Sequence, residues 1–232
     1  MPFHNFMLKL SSMNFLAVTI VPGLVFGAIG GATATAGIWS QDSTLLSFTV
    51  GSPDIPGTRR IDVLAPDHQK IAKVNDVHIQ VVVDGKSLLG TENEGVGPLA
   101  ELAWAPDSTV FFITESDGGI IGTWDTWVYW IEDGKVHRKS VTQEVTKRFK
   151  QHYKCMEPEE ANVGGVKWWN GSKTLLLVAE VPPHSSCPEM GKVRGYMVLI
   201  PSGEIVEEWD EKRLMADWGQ YLGERFARRK GN

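Results

Sequence analysis

The chain has only two cysteines, Cys155 and Cys187, in 232 residues. Two sulfurs cannot by themselves close a structural zinc site, which wants four ligands. A basic excess is missing as well, since 23 Lys and Arg stand against 28 Asp and Glu. Without a cationic patch to neutralise phosphates, nucleic acid is excluded as a partner. There is no G-x-S-x-G nucleophile elbow. No pair of acids at a fixed spacing marks acid–base catalysis. Low-complexity tracts are absent, and beyond Gly31 no apolar run approaches the length that spans a membrane. These absences leave an ordered globular chain with no catalytic signature.

The N-terminus carries the one long apolar run. Residues 1–12 hold a single cation, Lys9, and no acid, and residues 13–31 are uncharged. Ala32-Thr33-Ala34-Thr35-Ala36 then offers small residues at both positions that precede a cut. This order predicts a signal peptide over 1–36, cleaved after Ala34 or Ala36, and a single domain over 37–232. An uncleaved anchor is the alternative; Pro22-Gly23 within the run favours cleavage. The predicted location is secreted or periplasmic, with the membrane involved only through this segment. The remaining 196 residues carry 22 Lys and Arg against 28 Asp and Glu, a net charge of −6. In an exported chain two cysteines pair, so Cys155 and Cys187 are expected as a disulfide. His152 and His184 each precede a cysteine by three, which makes a Cys2His2 metal site the competing arrangement; export and loop-like surroundings favour the bond.

A three-fold recurrence organises the rest. Trp104-Ala105-Pro106-Asp107 precedes the apolar run Val110–Ile113. Trp168-Trp169-Asn170-Gly171-Ser172 precedes Leu175–Val178. Leu64-Ala65-Pro66-Asp67 precedes Ile71–Val74, with Leu64 where the other units have Trp. Each unit ends in a further Gly turn, at Asp84-Gly85, Asp133-Gly134 and Ser202-Gly203. Predicted strands are 59–65, 70–75, 77–83 and 87–90; 99–105, 109–115, 125–132 and 135–141; and 163–169, 173–181, 194–200 and 204–209, with one more near 45–50. Val81–Val83 and Trp127–Ile131 are continuous apolar runs, suited to strands covered on both faces. Helical periodicity is confined to 142–153 and to 211–229, the latter with an apolar stripe through Leu214, Trp218, Tyr221, Leu222 and Phe226. The fold class is therefore all-β: three four-stranded antiparallel meanders and a C-terminal helix.

The Trp-x-Pro-Asp turn followed by an apolar strand resembles the blades of β-propellers of the TolB-like and WD-repeat-like kind, over about residues 59–209. That resemblance implies four-stranded blades and no particular activity. Closed propellers have about 4 to 8 blades, and three units are present here. Their spacing is uneven, 40 residues from Pro66 to Pro106 and 64 from Trp104 to Trp168. Three units leave two sheet edges. Either residues 38–50 and the C-terminal helix cover them, or a homodimer shares one ring, or the sheets form an open roll.

On the blade reading the tight turns gather at one end and the long loops at the other. Trp104 and Trp168, each just before a tight turn, are expected to bridge adjacent sheets in the core. The long-loop end collects Glu92, Glu94, Glu115, Asp117, Asp125, Glu157, Glu159, Glu160 and Glu189, and both cysteines. Loops on a rigid scaffold are where binding sites concentrate. The functional expectation is an exported, non-enzymatic binding module whose acidic face takes a basic protein or a small cationic ligand. The alternative is a secreted hydrolase or lyase drawing its acids from the same loops. No catalytic residue, metal ligand or cofactor is assigned. Ca²⁺ is the one ion considered, because Glu115-Ser116-Asp117-Gly118-Gly119 supplies oxygens, but it lacks the ordered spacing of a calcium loop. The other readings are structural: His184-Ser185-Ser186 as a loop, Asn170-Gly171-Ser172 as a turn, and the nine Trp mainly as core rather than sugar platforms.

Overall fold

In a computed structural model the described residues are 37–47, 60–75, 78–91 and 94–229. Three antiparallel meanders hold all but one of their strands. The first runs β2 (Ile61–Leu64), β3 (Lys70–Val74), β4 (Ile79–Val83), β5 (Lys86–Ser87). The second runs β6 (Leu99–Trp104), β7 (Val110–Ser116), β8 (Trp124–Glu132), β9 (Lys135–Ser140), and the third β10 (Asn162–Trp169), β11 (Thr174–Glu180), β12 (Val193–Leu199), β13 (Ile205–Trp209). The remaining strand, β1 (Thr44–Ser47), pairs antiparallel with the free side of β6, Thr44 opposite Leu102 and Ser47 opposite Leu99. The sheets do not close into a ring. Contacts divide the chain into Met1–Thr33 and Ala34–Asn232, and the described residues all belong to the second unit. The segment read as a signal peptide lies outside them, as does Glu92.

The hairpins follow from their turn residues. Asp84-Gly85 and Asp133-Gly134 both take left-handed backbone, with φ of 49° and 77° in one and 51° and 70° in the other. Two such residues in a row make the turn whose twist matches antiparallel strands. The strands then alternate. Along β7, Phe111 and Ile113 enter the cluster with Val63, Ala72, Val74 and Ile79 of the first sheet. Phe112, between them, enters the cluster with Val163, Trp168, Leu175 and Leu177 of the third. A strand with apolar partners on both sides has no polar face, which is why these runs are continuous.

The same bond joins sheet to sheet twice. The Trp104 indole N–H donates to the Val63 carbonyl at 3.1 Å. The Trp168 indole N–H donates to the Ala103 carbonyl at 3.0 Å. Val63 precedes Leu64 as Ala103 precedes Trp104, so each Trp grips the equivalent point of the preceding sheet. The turns repeat the relation. The Ser108 hydroxyl accepts from the Asp67 N–H at 2.9 Å, and Ser172 hydrogen-bonds the Asp107 carboxylate. Among the described residues no sheet precedes the first, and there Leu64 is 48% exposed.

Between β9 and β10 the chain inserts helix α1 (Thr142–Lys150) and a short turn of 3-10 helix at Lys154–Met156. This insertion accounts for the longer second interval of the repeat. Val145 and Phe149 of α1 are buried against the third sheet. The predicted C-terminal helix over 211–229 is shorter in the structure: α2 spans Glu211–Trp218, capped by Asp210, whose carboxylate accepts from the Arg213 N–H at 2.9 Å. Two 3-10 turns follow, Gly219–Tyr221 and Glu224–Arg229. The helix stops because residues 221–225 bond the segment 37–41. Ser40 bridges Leu222, and the Gly223, Glu224 and Arg225 N–H groups donate to the carbonyls of Trp39, Gly37 and Ile38. A side chain on Gly223 would collide with that backbone.

Candidate functional site

The long loops meet at one end of the meanders. Strand β7 enters that end with Glu115 and β8 leaves it with Asp125, and the two stand directly opposite each other. Residues paired this way share one face of the sheet. Glu115 accepts from the Gly97 N–H at 2.7 Å. Arg138, from β9, pairs with Glu94 at 2.7 Å and lies 4.5 Å from the centre of the Trp127 ring.

The carboxylates feel one another. Burial pushes the Glu115 carboxyl up, with the charges of Asp125 and Glu94 adding to it and the Gly97 N–H and Arg138 opposing. Asp125 is raised by burial first, then by Asp117 and Glu160, against a hydrogen bond from Thr142. Glu94, Glu115, Asp117, Asp125 and Glu160 thus form one electrostatic group from four separate stretches of chain. Burial also raises the Tyr129 phenol, helped by Glu115 and Glu94.

Several acids of that end also make local contacts. Glu157 and Glu160 both reach Lys150, at 3.6 and 3.0 Å. Hydrogen bonds from Ser185 and Ser186 hold the Glu159 carboxyl low, which occupies the two hydroxyls beside His184. Cys155 and Cys187 are joined as a disulfide. The bond ties the insertion carrying α1 to the 181–192 loop, and Glu189 sits 3.6 Å from the Cys155 sulfur. With both sulfurs in the bond, the cluster of Cys155, Cys187 and Glu189 has no thiolate to offer a metal. In the β7–β8 loop, Asp117 accepts from the Thr123 N–H at 2.7 Å, and Ser116 Oγ bonds the Gly119 carbonyl. Those oxygens close the loop on itself rather than opening toward an ion.

Sequence reasoning missed Glu101 and the pair Glu180–Arg225. The Glu101 carboxylate is fully buried and accepts from the N–H groups of Ile38, Trp39 and Ser40, at 2.7, 3.2 and 3.2 Å. Burial pushes its carboxyl up to about 7 against these bonds. Arg225 pairs with the buried Glu180 at 2.7 Å and lies 4.9 Å from the Trp39 ring centre. A lone Glu in the otherwise apolar stretch Leu99–Trp104 was the available signal, since charge inside such a strand needs an internal partner.

A concavity of about 740 Å³ lies elsewhere, beside Arg60, Asp62, Lys73, His78 and Gln80. Its cations and anions alternate, and Arg60 pairs with Asp62 at 2.7 Å. The partly buried, mutually repelling carboxylates of the long-loop end are the stronger chemistry. Comparison with known family models, curated proteins and solved structures finds no match. The disulfide suits an oxidising compartment. Among the described residues no helix is long and apolar enough to cross a membrane.

Proposed function

We propose that the protein is an exported, non-enzymatic binding module, secreted or periplasmic after loss of residues 1–36. Its three sheets are propeller-like blades, and it takes a basic protein segment or a small cationic ligand on its long-loop face. The observation that carries this reading is the group of Glu94, Glu115, Asp117, Asp125 and Glu160. Burial raises the carboxyls of Glu115 and Asp125, the charges of Glu94, Asp117 and Glu160 add to it, and an arriving cation relieves that cost. The disulfide supports the same reading, because loops already tied lose less freedom on binding.

The test is calorimetric titration with a hexalysine peptide and with Ca²⁺, at low and high ionic strength. Binding should weaken as salt rises. Asp117→Lys with Glu160→Lys should weaken it about tenfold or more. Asp84→Asn with Asp133→Asn, at the opposite end, should leave it unchanged. Asn suits that control because it tolerates the left-handed backbone of both turns. Binding that survives the first pair and fails with the second overturns the face assignment, and no binding of either probe overturns the reading.

A second reading is favoured by one specific feature. Glu115 and Asp125 are opposed and both raised, which is the arrangement a hydrolase or lyase uses to keep one carboxyl protonated beside one ionised. On that reading Glu115→Gln would abolish turnover while leaving hexalysine affinity within a few-fold.

A further inference from the structure

Trp169 departs from its two counterparts. Ala65 and Ala105 hold the equivalent position in the first and second sheets, each buried in the same cluster as the next sheet's Trp. Among the described residues no sheet follows the third, and there a Trp replaces the Ala and is 50% exposed. Its ring meets Trp218 of α2 edge to face, centroids 5.1 Å apart at 86°. Trp218 also contacts Trp209 at 5.6 Å and Tyr221 at 6.0 Å. The result is a right-angled aromatic corner beside a groove of about 320 Å³.

The groove has a polar wall as well. Arg213 is held between Glu207, at 3.5 Å, and Asp217, at 3.2 Å. These three groups are planar and bind paired donors or acceptors side by side. Gln220 completes the rim.

We propose that this groove is a subsite for a neutral hexopyranose. A sugar ring is apolar on the face that carries its axial C–H bonds and polar around its edge. The exposed Trp169 face supplies rigid apolar area at little entropic cost. The carboxylates of Glu207 and Asp217 and the Arg213 guanidinium line the same groove and can meet adjacent hydroxyls. The volume sits at the low end of small-ligand sites, enough for one or two sugar rings and not for an extended peptide. Two carboxylates to one guanidinium select against uronic and sulfated sugars. None of the acids of the long-loop group lines this groove, so it stands independently of the function proposed above.

The experiment is calorimetry on the full chain with cellotetraose, chitotetraose, maltotetraose and tetragalacturonate. At least one neutral oligosaccharide should bind, and more tightly than the uronate. Trp169→Ala should raise its Kd about tenfold with the melting temperature unchanged, because half of the ring is already in water. Glu207→Gln with Asp217→Asn, both exposed side chains, should raise Kd without touching a ring. Failure of all three neutral sugars, preference for the uronate, or affinity unchanged by the carboxamide pair overturns the proposal. A melting temperature that falls in Trp169→Ala as far as in Trp168→Ala marks the ring as a core cap and overturns it too.

Discussion

Single residues carry the contacts between layers. Trp104 and Trp168 each combine a buried ring with one satisfied indole N–H. Truncation to Ala removes the ring and leaves a carbonyl of the preceding sheet short of a donor. Each variant should lose about 3–5 kcal/mol, the range for emptying a core aromatic site, read as a lowered denaturant midpoint. Glu101 works differently. Its carboxyl is raised to about 7 in the folded chain, above the ordinary 4.5 of a glutamic acid, so the folded state holds its proton more tightly. The contribution is complete below pH 4.5, declines as pH rises, and is gone above about 7. Denaturation of the wild type and Glu101→Gln across that window should show the wild type losing ground at higher pH, by on the order of 3 kcal/mol in all.

At the scale of elements, turns and strands were written plainly in the sequence and helix ends were not. Asp-Gly and Pro-Asp turns impose their geometry locally, so the hairpins fall where their residues put them. The apolar runs at Val81–Val83 and Trp127–Ile131 suggested cover on both faces, but Val83, Trp127, Trp130 and Ile131 are only half-buried, and the most fully buried strands are β7 and β11. The end of α2 depends instead on residues 37–41, some 180 positions earlier in the chain, and no local signal encodes such a partner. The candidate site was half visible for the same reason. Acids in loops are easily seen, but only the pairing of β7 with β8 puts Glu115 opposite Asp125. The insertion holding α1 is an element with a tether of its own. Its disulfide closes 32 positions, for which chain entropy gives about 3–4 kcal/mol. Cys155→Ser with Cys187→Ala should lower stability by about that much in equilibrium unfolding, and proteolysis should then cut first within 151–161 or 181–192.

At the scale of the molecule, the three meanders form an array with unlike ends. The first and second sheets each accept an indole N–H from the next, so the array has a direction. The first sheet begins it with a partly exposed Leu64, and the third ends it beneath α2 and Trp169. At the position where the first two sheets carry Ala65 and Ala105, the third carries the half-exposed Trp169. The clasp between 37–41 and 221–225 adds a temporal consequence. Strand β1 is made first during synthesis, yet its neighbour β6 follows some 50 residues later, and the backbone that receives Trp39 follows later still. Segment 37–41 therefore waits for its last backbone partners, residues 221–225, until nearly the whole described chain has been made.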